Sequence, residues 1–482
     1  MTSANDLLTR PGWAEADLGR PLPQDPHAVS VCMPHWDHVV GYEEEDPAII
    51  DRLACGYPRF LVHPFVRQLA AKVQADLALP PSQEPWLFSS PQAAQRVATY
   101  AGQERTRIVA WEGLHVVIAP RDRPEAKFAW RIYGEGISSR RAEAILTQQP
   151  TFTDDTSKDW IRKDIAQRLS LSADDVFLFP SGIAAMATAH RLTQTLHPGK
   201  PSVQVDFPYV DVLKVQEAHP AGAQLLSSRE LPDVDPSSLS SIFTEISSNP
   251  TLQTPNLAQL AEQLRPHRVP LVADDTIATA CNVDLSPHAD IITTSLTKFY
   301  SGEGNVLAGS LILVRDSPLY EPLREAIEAD YGNDLAPVDA AVLAANARDF
   351  PQRVQRINAN AEQVFHHLEG HPSLETLWYS ANQQPKAYQA LMRQGAGYGG
   401  LLSFLPRSAP NRSPEIYNRL RVSKGPSLGT TFTLACPYML LAHYPELDWT
   451  DSLGIDRHLI RLSIGTEEPN DLIERLNEAL RS

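Results

Sequence analysis

The chain has 482 residues, 43% hydrophobic and 21% charged, a globular composition far from that of a disordered chain. This length exceeds what a single hydrophobic core fills, so two or three packed regions of roughly 100–200 residues each are expected. The formal net charge of −16 argues against nucleic acid as a partner, because such binders need a basic face to displace counterions from phosphates.

Residues 1 to about 30 are polar and punctuated by proline, which predicts an arm that stays mobile or lies on a partner subunit. They show no basic start followed by an apolar core, and no apolar run of roughly 18 residues occurs anywhere. A cytoplasmic protein without a membrane partner is therefore expected. "MPHWDH" gathers His35, Asp37 and His38, which read as solvated loop residues, so no metal site is predicted. Four cysteines, Cys32, Cys55, Cys281 and Cys436, are too scattered for a disulfide framework or a Cys-x-x-Cys metal site. Arg107 to Pro120 reads as two short strands around a turn. Residues 1–164 are thus taken as an arm and a small α/β region. Arg140 and Arg141 read as a solvated helix start.

From Trp160 a regular rhythm begins. "WIRKDIAQRLSL" reads as a helix, "DVFLFP" as a strand and "SGIAAMATAHRLTQTL" as a second helix. The strands "SVQVDF", "SIFTEIS", "VPLVADD", "ADIITTSL" and "SLILVR" follow, with the helix "NLAQLAEQLRPH" among them. Short β-branched runs alternating with helices are the pattern of crossover units around a mostly parallel sheet, so residues 165–330 are predicted to form a doubly wound α/β domain. Beyond Ser317 and Pro318 long helices and late strands such as "GGLLSFLP" and "RHLIRLSIG" predict a C-terminal α+β domain over 331–482.

Chemistry concentrates at the predicted strand ends, where open parallel sheets bind ligands. "FLFPSGIAAM" sets Ser181 and Gly182 at a strand-to-helix turn whose free amides and dipole can receive a phosphate. "VPLVADDT" ends a buried strand in Asp274 and Asp275; such a carboxylate needs a partner, either a helix cap, a salt bridge or a protonated ring nitrogen. "IITTSLTKFYSGEGN" places Lys298 after Ser295 and Thr297, at the end of an apolar strand. It reads either as a snorkelling surface lysine or as a desolvated amine nucleophile. Asn249 in "SSNP" can hydrogen-bond a phenolic oxygen, and Tyr209 in "VDFPYV" can stack on a flat heterocycle. Gly302 and Gly304 imitate a dinucleotide loop but lack the helix and ribose-binding acid that motif requires.

Together "SLTK", "DDT", "GYPRF", "GEGISSR" and "CPYMLLAHY" resemble the Cys/Met-metabolism family of fold-type I pyridoxal-phosphate enzymes, in its cystathionine γ-synthase-like branch from fungi and some bacteria. The resemblance runs from about Gly56 to the C-terminus. It implies an α/β fold with a mostly parallel seven-stranded sheet, flanking helices, an N-terminal extension and a C-terminal α+β domain. It also implies pyridoxal 5′-phosphate as cofactor, bound as an imine by Lys298, with Asp274 on the pyridine nitrogen, Tyr209 stacked on the ring and Asn249 at the phenolic oxygen. Ser181, Gly182, Ile183, Ser295 and Thr297 would surround the phosphate, and Tyr57 and Arg59 would reach the phosphate of a neighbouring subunit, in a homodimer or homotetramer with shared active sites. Arg461 would clamp the α-carboxylate of an amino-acid substrate, with Ser427 as a second contact; a guanidinium fork suits that task. The other reading of Arg461 pairs it with Glu467 or Glu468.

The implied activity is a transferase reaction of transsulfuration and methionine biosynthesis: γ-replacement on O-succinyl- or O-acetyl-homoserine by L-cysteine. The alternatives are β- or γ-elimination, sulfhydrylation of O-acetylhomoserine, or binding of the cofactor without catalysis. The chain departs from many relatives in having Thr430 and Phe432 where they read Gly and Glu, in lacking Asn-Pro-Thr after the Tyr-x-Arg, and in carrying a segment, Leu61 to Trp130, without counterpart in the better-known bacterial enzymes.

Overall fold

The computed structural model describes residues 6–150, 152–228, 230 and 234–481, and the strands form three sheets. In the first, β1 (Gln83–Phe88), β2 (Arg107–Trp111) and β3 (Leu114–Pro120) lie in the order β1-β3-β2 and are antiparallel throughout. Glu112 and Gly113 turn the β2–β3 hairpin with φ of 43° and 75°, the left-handed pair that a two-residue turn between right-twisted strands requires. β1 joins the two strands read from the pattern. Its sequence, "QEPWLF", carries a proline and no alternation, so it gives little strand signal.

The second sheet positions the site. It comprises β4 (Val176–Phe179), β5 (Ser202–Val205), β6 (Ala223–Leu226), β7 (Ser241–Glu245), β8 (Leu271–Asp274), β9 (Ile291–Thr294) and β10 (Gly309–Leu313), in the order β4-β10-β9-β8-β7-β5-β6. β9, β8, β7, β5 and β6 are parallel, while β10 runs against both β4 and β9. This is the expected mostly parallel α/β sheet, with one reversed strand. Helices cover both faces, which is why the strands read as continuous apolar runs: Leu178, Val203, Val272, Ile292 and Leu311 are all 0% exposed. β6 sits half-buried at the sheet edge, too short and mixed to stand out in the sequence.

The third sheet takes β11 (Leu374–Tyr379), β12 (Leu401–Pro406), β13 (Ser423–Lys424), β14 (Leu434–Cys436) and β15 (Ile460–Ser463) in the order β11-β12-β15-β14-β13. β13 and β14 are parallel and the other pairs antiparallel. Helices Phe350–Leu368 and Pro469–Leu480 close its core through Phe365, Leu472 and Leu476.

The described part of the N-terminal arm packs against its own chain. Leu7, Leu22 and Cys32 are apolar side chains among polar ones, and they pack against Phe432 and Leu434. Backbone bonds from Met33 to Lys424 and from Lys424 to Gly12 hold the arm along β13. All four cysteines are free thiols, and among the described residues no helix is long and apolar enough to cross a membrane.

Phe243 in β7 is 0% exposed and packs with Ile183, Val272 and Leu311. Phe243→Ala should therefore cost about 3–5 kcal/mol, read as a lower urea midpoint; a change within error would show that the core collapses around the lost ring.

Candidate active site

At the carboxyl ends of β7, β8 and β9 the structure opens a cavity of about 610 Å³. Of the predicted site residues, Lys298, Asp274, Ser295, Tyr209, Asn249, Gly182, Ile183, Tyr57, Arg59 and Arg461 all line it. Strand order accounts for this convergence. β8 and β9 are neighbours in parallel register, so Asp274 at the end of one and the Ser295–Lys298 turn after the other emerge side by side.

Lys298 points its Nζ at the Ser427 Oγ, 3.0 Å away, and lies 4.4 Å from the centre of the Tyr57 ring. Burial, partly offset by Tyr57, lowers the lysine below its ordinary range, because the charged form loses its hydration. For Tyr57 burial acts upward, but the charges of Lys298 and Arg59 outweigh it and leave the phenol lowered. The snorkelling alternative fails here, since the amine turns into the protein.

Asp274 accepts hydrogen bonds from the Thr276 amide and the Thr293 hydroxyl, both at 2.9 Å. Burial pushes its carboxyl up in spite of these donors. Asp275 points to the opposite face, where it accepts from Thr294 at 2.5 Å and burial pushes it up to about 7. The neighbouring strand adds a residue that the sequence reading passed over: Glu245, in register with Asp274, also lines the cavity. It accepts from the Tyr209 amide at 2.7 Å, and burial followed by the charge of Asp274 drives it well above the carboxylate range. Its signal was its place at the end of "SIFTE", one strand over from "VPLVADD".

The phosphate end is assembled differently from expectation. Ser181 caps helix Gly182–Leu196: its Oγ accepts from the Ala184 amide at 3.2 Å and donates to the Gly134 carbonyl at 2.8 Å. Thr297 is likewise turned away, its hydroxyl bonded to the Ala308 carbonyl and amide at 3.3 and 3.0 Å. Neither lines the cavity, because each hydroxyl satisfies backbone groups that the turn leaves open. Gly182, Ile183 and Ser295 remain at the wall, at a helix start where backbone N–H groups lack intrahelical partners. A Cβ on Gly182 would sit 2.6 Å from the Ser295 Cβ, so glycine is what keeps this corner open.

Arg461, on β15, is 2% exposed. It donates to the Asn249 Oδ1 and the Ser427 carbonyl, each at 3.1 Å, and its guanidinium lies 4.4 Å from the Tyr438 ring centre. The acids weighed as partners are elsewhere: Glu467 accepts from the Thr433 amide and hydroxyl, and Glu468 is exposed. Tyr438, quoted in "CPYMLLAHY" without a role, also accepts from the Asn249 Nδ2 at 3.0 Å. Ser427 does not itself line the cavity, but it joins Lys298 to Arg461 through its hydroxyl and its carbonyl. Phe432 is 0% exposed in the apolar cluster under the arm, so that position does not face the cavity.

Tyr57 and Arg59, expected to reach the phosphate of a neighbouring subunit, line the cavity of their own chain. Arg59 donates to Asp211 and to the Tyr209 hydroxyl, each at 2.6 Å, and to the Arg131 carbonyl at 3.0 Å. Asp211 is 0% exposed and needs cations beside it, and Arg131 is the second, at 2.8 Å. Outside the cavity lining, His35 and His38 lie 3.0 and 3.5 Å from the Glu15 carboxylate, which Arg52 shares at 3.8 Å.

Residues 161–481 match the family of Cys/Met metabolism PLP-dependent enzymes. The chain belongs to that family. It is 33% identical to the cystathionine gamma-synthase-like protein ankD of Aspergillus thermomutatus, over 99% of this chain and 96% of that one. It is also 29% identical to the cystathionine gamma-synthase of Neurospora crassa (96% and 98% covered), and 31% identical to the L-2-amino-4-chloropent-4-enoate dechlorinase/desaturase of Streptantibioticus cattleyicolor (95% and 97%). Among solved structures, cystathione gamma lyase (CalE6) from Micromonospora echinospora matches with a TM-score of 0.56 at 25% identity, covering 64% of this chain and 82% of that one. The metB structure from Corynebacterium glutamicum shares the fold with a TM-score of 0.59 at 21% identity, over 67% and 84%.

The cofactor of this Cys/Met-metabolism enzyme is pyridoxal 5′-phosphate, and the cavity fits it. A lysine held toward its neutral form suits an aldehyde, a glycine-floored helix start suits a phosphate, and a carboxylate at the strand end suits a pyridine nitrogen. The lowered lysine has a direct consequence: more of it is unprotonated at any pH than of a free lysine. Trace acetylation of the cofactor-free protein across pH, read by mass spectrometry, should show Lys298 titrating below 10.5; titration with the surface lysines would contradict its burial. Gly182→Ala should weaken cofactor binding about 10- to 100-fold, as expected for lost hydrogen bonds to a charged group, and should also lower the melting temperature, since the added Cβ meets Ser295; unchanged affinity would place the phosphate elsewhere.

Proposed function

We propose that this enzyme catalyses γ-replacement on an O-acyl-homoserine, in which the thiol of L-cysteine displaces the acetate or succinate and cystathionine forms. The observation that carries the reading is Arg461: a buried guanidinium whose bonds run to Asn249 and Ser427 rather than to an acid, on the wall of the cavity that also receives Lys298. A cation so placed suits the α-carboxylate of an amino acid, which it can meet with two parallel hydrogen bonds.

Bound pyridoxal phosphate supplies an electron-poor ring that takes up the negative charge left when a proton departs from the substrate. Lys298 would hold it, with Gly182, Ile183 and Ser295 at the phosphate, Asp274 at the ring nitrogen and Tyr209 and Asn249 about the ring. The chain's own residues then handle protons. Lys298, lowered by burial, can take a proton from Cα or Cβ and return it, because more of it is unprotonated at a given pH than of a free lysine. Ser427 steadies its amine, while Tyr57 covers it on one side. Loss of the Cβ proton prepares the γ-acyloxy group to leave as a carboxylate, and the thiol then forms the new C–S bond at Cγ. A cavity of about 610 Å³ has room for the cofactor and for two reactants. Assembly as a homodimer or homotetramer and a cytoplasmic location belong to the same proposal.

The test is incubation of the cofactor-loaded protein with O-acetyl- and O-succinyl-homoserine, with and without L-cysteine, and mass spectrometry of the products. Cystathionine is expected; 2-oxobutanoate alone would replace this reading with γ-elimination. Lys298→Ala should lose the imine absorbance and about 10²–10⁴-fold in kcat, and normal turnover in that variant would overturn the assignment of its role.

A further inference from the structure

Residues 43–46 are four consecutive acids, a run that in sequence reads as a solvated patch. Three are accounted for: Glu44 accepts from the Tyr444 hydroxyl at 2.6 Å, Glu45 is exposed, and Asp46 caps helix Pro47–Ile50 by accepting from the Ala48 amide at 2.9 Å. Glu43 alone is half-buried; it lines the cavity that holds Lys298 and Arg461.

Among the described residues no side chain makes an ion pair or hydrogen bond with the Glu43 carboxyl. Glu43 is the last residue of helix Trp36–Glu43, the end where the helix dipole disfavours an acid. Arg131, the cation whose charge acts on it, is committed to Asp211 through Nε at 3.0 Å and Nη2 at 2.8 Å. Lys214 on the same wall is paired with Glu446 at 2.9 Å, and Lys127 is exposed. Burial pushes the Glu43 carboxyl up to about 8, the state of an acid without a counter-charge. Its position gives no helix stability and costs desolvation, so its natural partner is a group that arrives with a ligand.

We propose that Glu43 selects the nucleophile: its carboxylate receives a cationic amino group on the incoming thiol, at the part of the cavity whose solvent-exposed wall residues Glu45, Asp51 and Lys127 mark the mouth. This rests on the γ-replacement reading of the same site. Arg461 and Lys298 serve the homoserine ester, and Glu43 serves the second reactant. The neighbouring wall residues Tyr42, Phe60, Leu61 and Leu441 offer that amino group little competition for its hydrogen bonds.

The experiment compares wild type with Glu43→Gln, an isosteric change, as holoenzymes supplied with O-acetylhomoserine and one of two thiols. Cysteamine carries the ammonium without a carboxylate, and 3-mercaptopropionate the reverse. The kcat/KM ratio of cysteamine over 3-mercaptopropionate should fall at least about tenfold in Glu43→Gln, the loss expected for one hydrogen bond between charged groups; an unchanged ratio overturns the proposal. A second measurement needs no turnover. Borohydride reduction fixes the cofactor on the lysine, so amines cannot exchange with it, and 2-(methylthio)ethylamine and 3-(methylthio)propanoate are then titrated calorimetrically. The amine should bind wild type at least about tenfold tighter than Glu43→Gln while the acid distinguishes them little; equal binding of the amine sinks the role of Glu43. If no thiol yields a thioether with wild type, γ-replacement fails, and the titration still decides the fate of Glu43.

Discussion

Asp211 has no exposed surface, and a carboxylate in that position is tolerable only if cations meet it. Arg59 and Arg131 do so, and their charges outweigh the burial that would otherwise raise its proton affinity. The three residues come from separate parts of the chain: the turn after Tyr57, helix Glu125–Tyr133 beyond the three-stranded sheet, and helix Val210–Glu217 after β5. One buried charge thus fastens the N-terminal third to the seven-stranded sheet, beside the cavity. Removing a partner would strand a charge at about 3–5 kcal/mol, so the geometry of Tyr57, which precedes Arg59 in the same turn and covers Lys298, depends on it. Arg59 also donates to the Tyr209 hydroxyl, which couples this fastening directly to the cavity wall.

The same burial sets the protonation of the site. Removing water disfavours whichever form is charged, so Lys298 moves down while Asp274, Glu245 and Glu43 move up. A cavity with an amine biased toward its neutral form and acids biased toward theirs is held away from the charge states it would adopt in water. Ligands that bring a pyridinium or an ammonium restore charge to the acids, and ligands that bring an aldehyde use the amine. Binding and proton chemistry therefore draw on one physical source, the enclosure of the strand ends by residues from other regions.

What could be read from sequence followed a clear division. Lys298, Asp274, Asn249 and Tyr209 were legible as candidates because parallel pairing brings strand ends together, and the resemblance, not the strand ends alone, suggested their roles. Arg461 was legible by resemblance, but only the structure shows that its bonds run to Asn249 and Ser427. Ser181 and Thr297 show the limit. A hydroxyl beside a turn can face a ligand or the backbone, and in both cases the unsatisfied carbonyl or amide of the turn won. β6 and the proline-bearing β1 lacked the periodicity that exposes a strand, and the apolar residues of the arm were diluted among prolines and charges.

The segment from Leu61 to Trp130 meets the site through the helix that ends it. Its own sheet lies apart from the strand ends, yet helix Glu125–Tyr133 that follows β3 places Lys127, Trp130 and Arg131 on the cavity wall. Ile132 of that helix packs with Ile183 and Met186, just past the helix start that would receive the phosphate. The segment is therefore anchored to the cofactor end and exposed at the mouth. Arg131 stands at the junction: it is bonded to Asp211, and among the described residues Glu43 has no ion pair of its own. The arrangement that secures the inner half of the cavity is thus the one that leaves the Glu43 carboxyl in the outer half without a partner of its own and open to a second reactant.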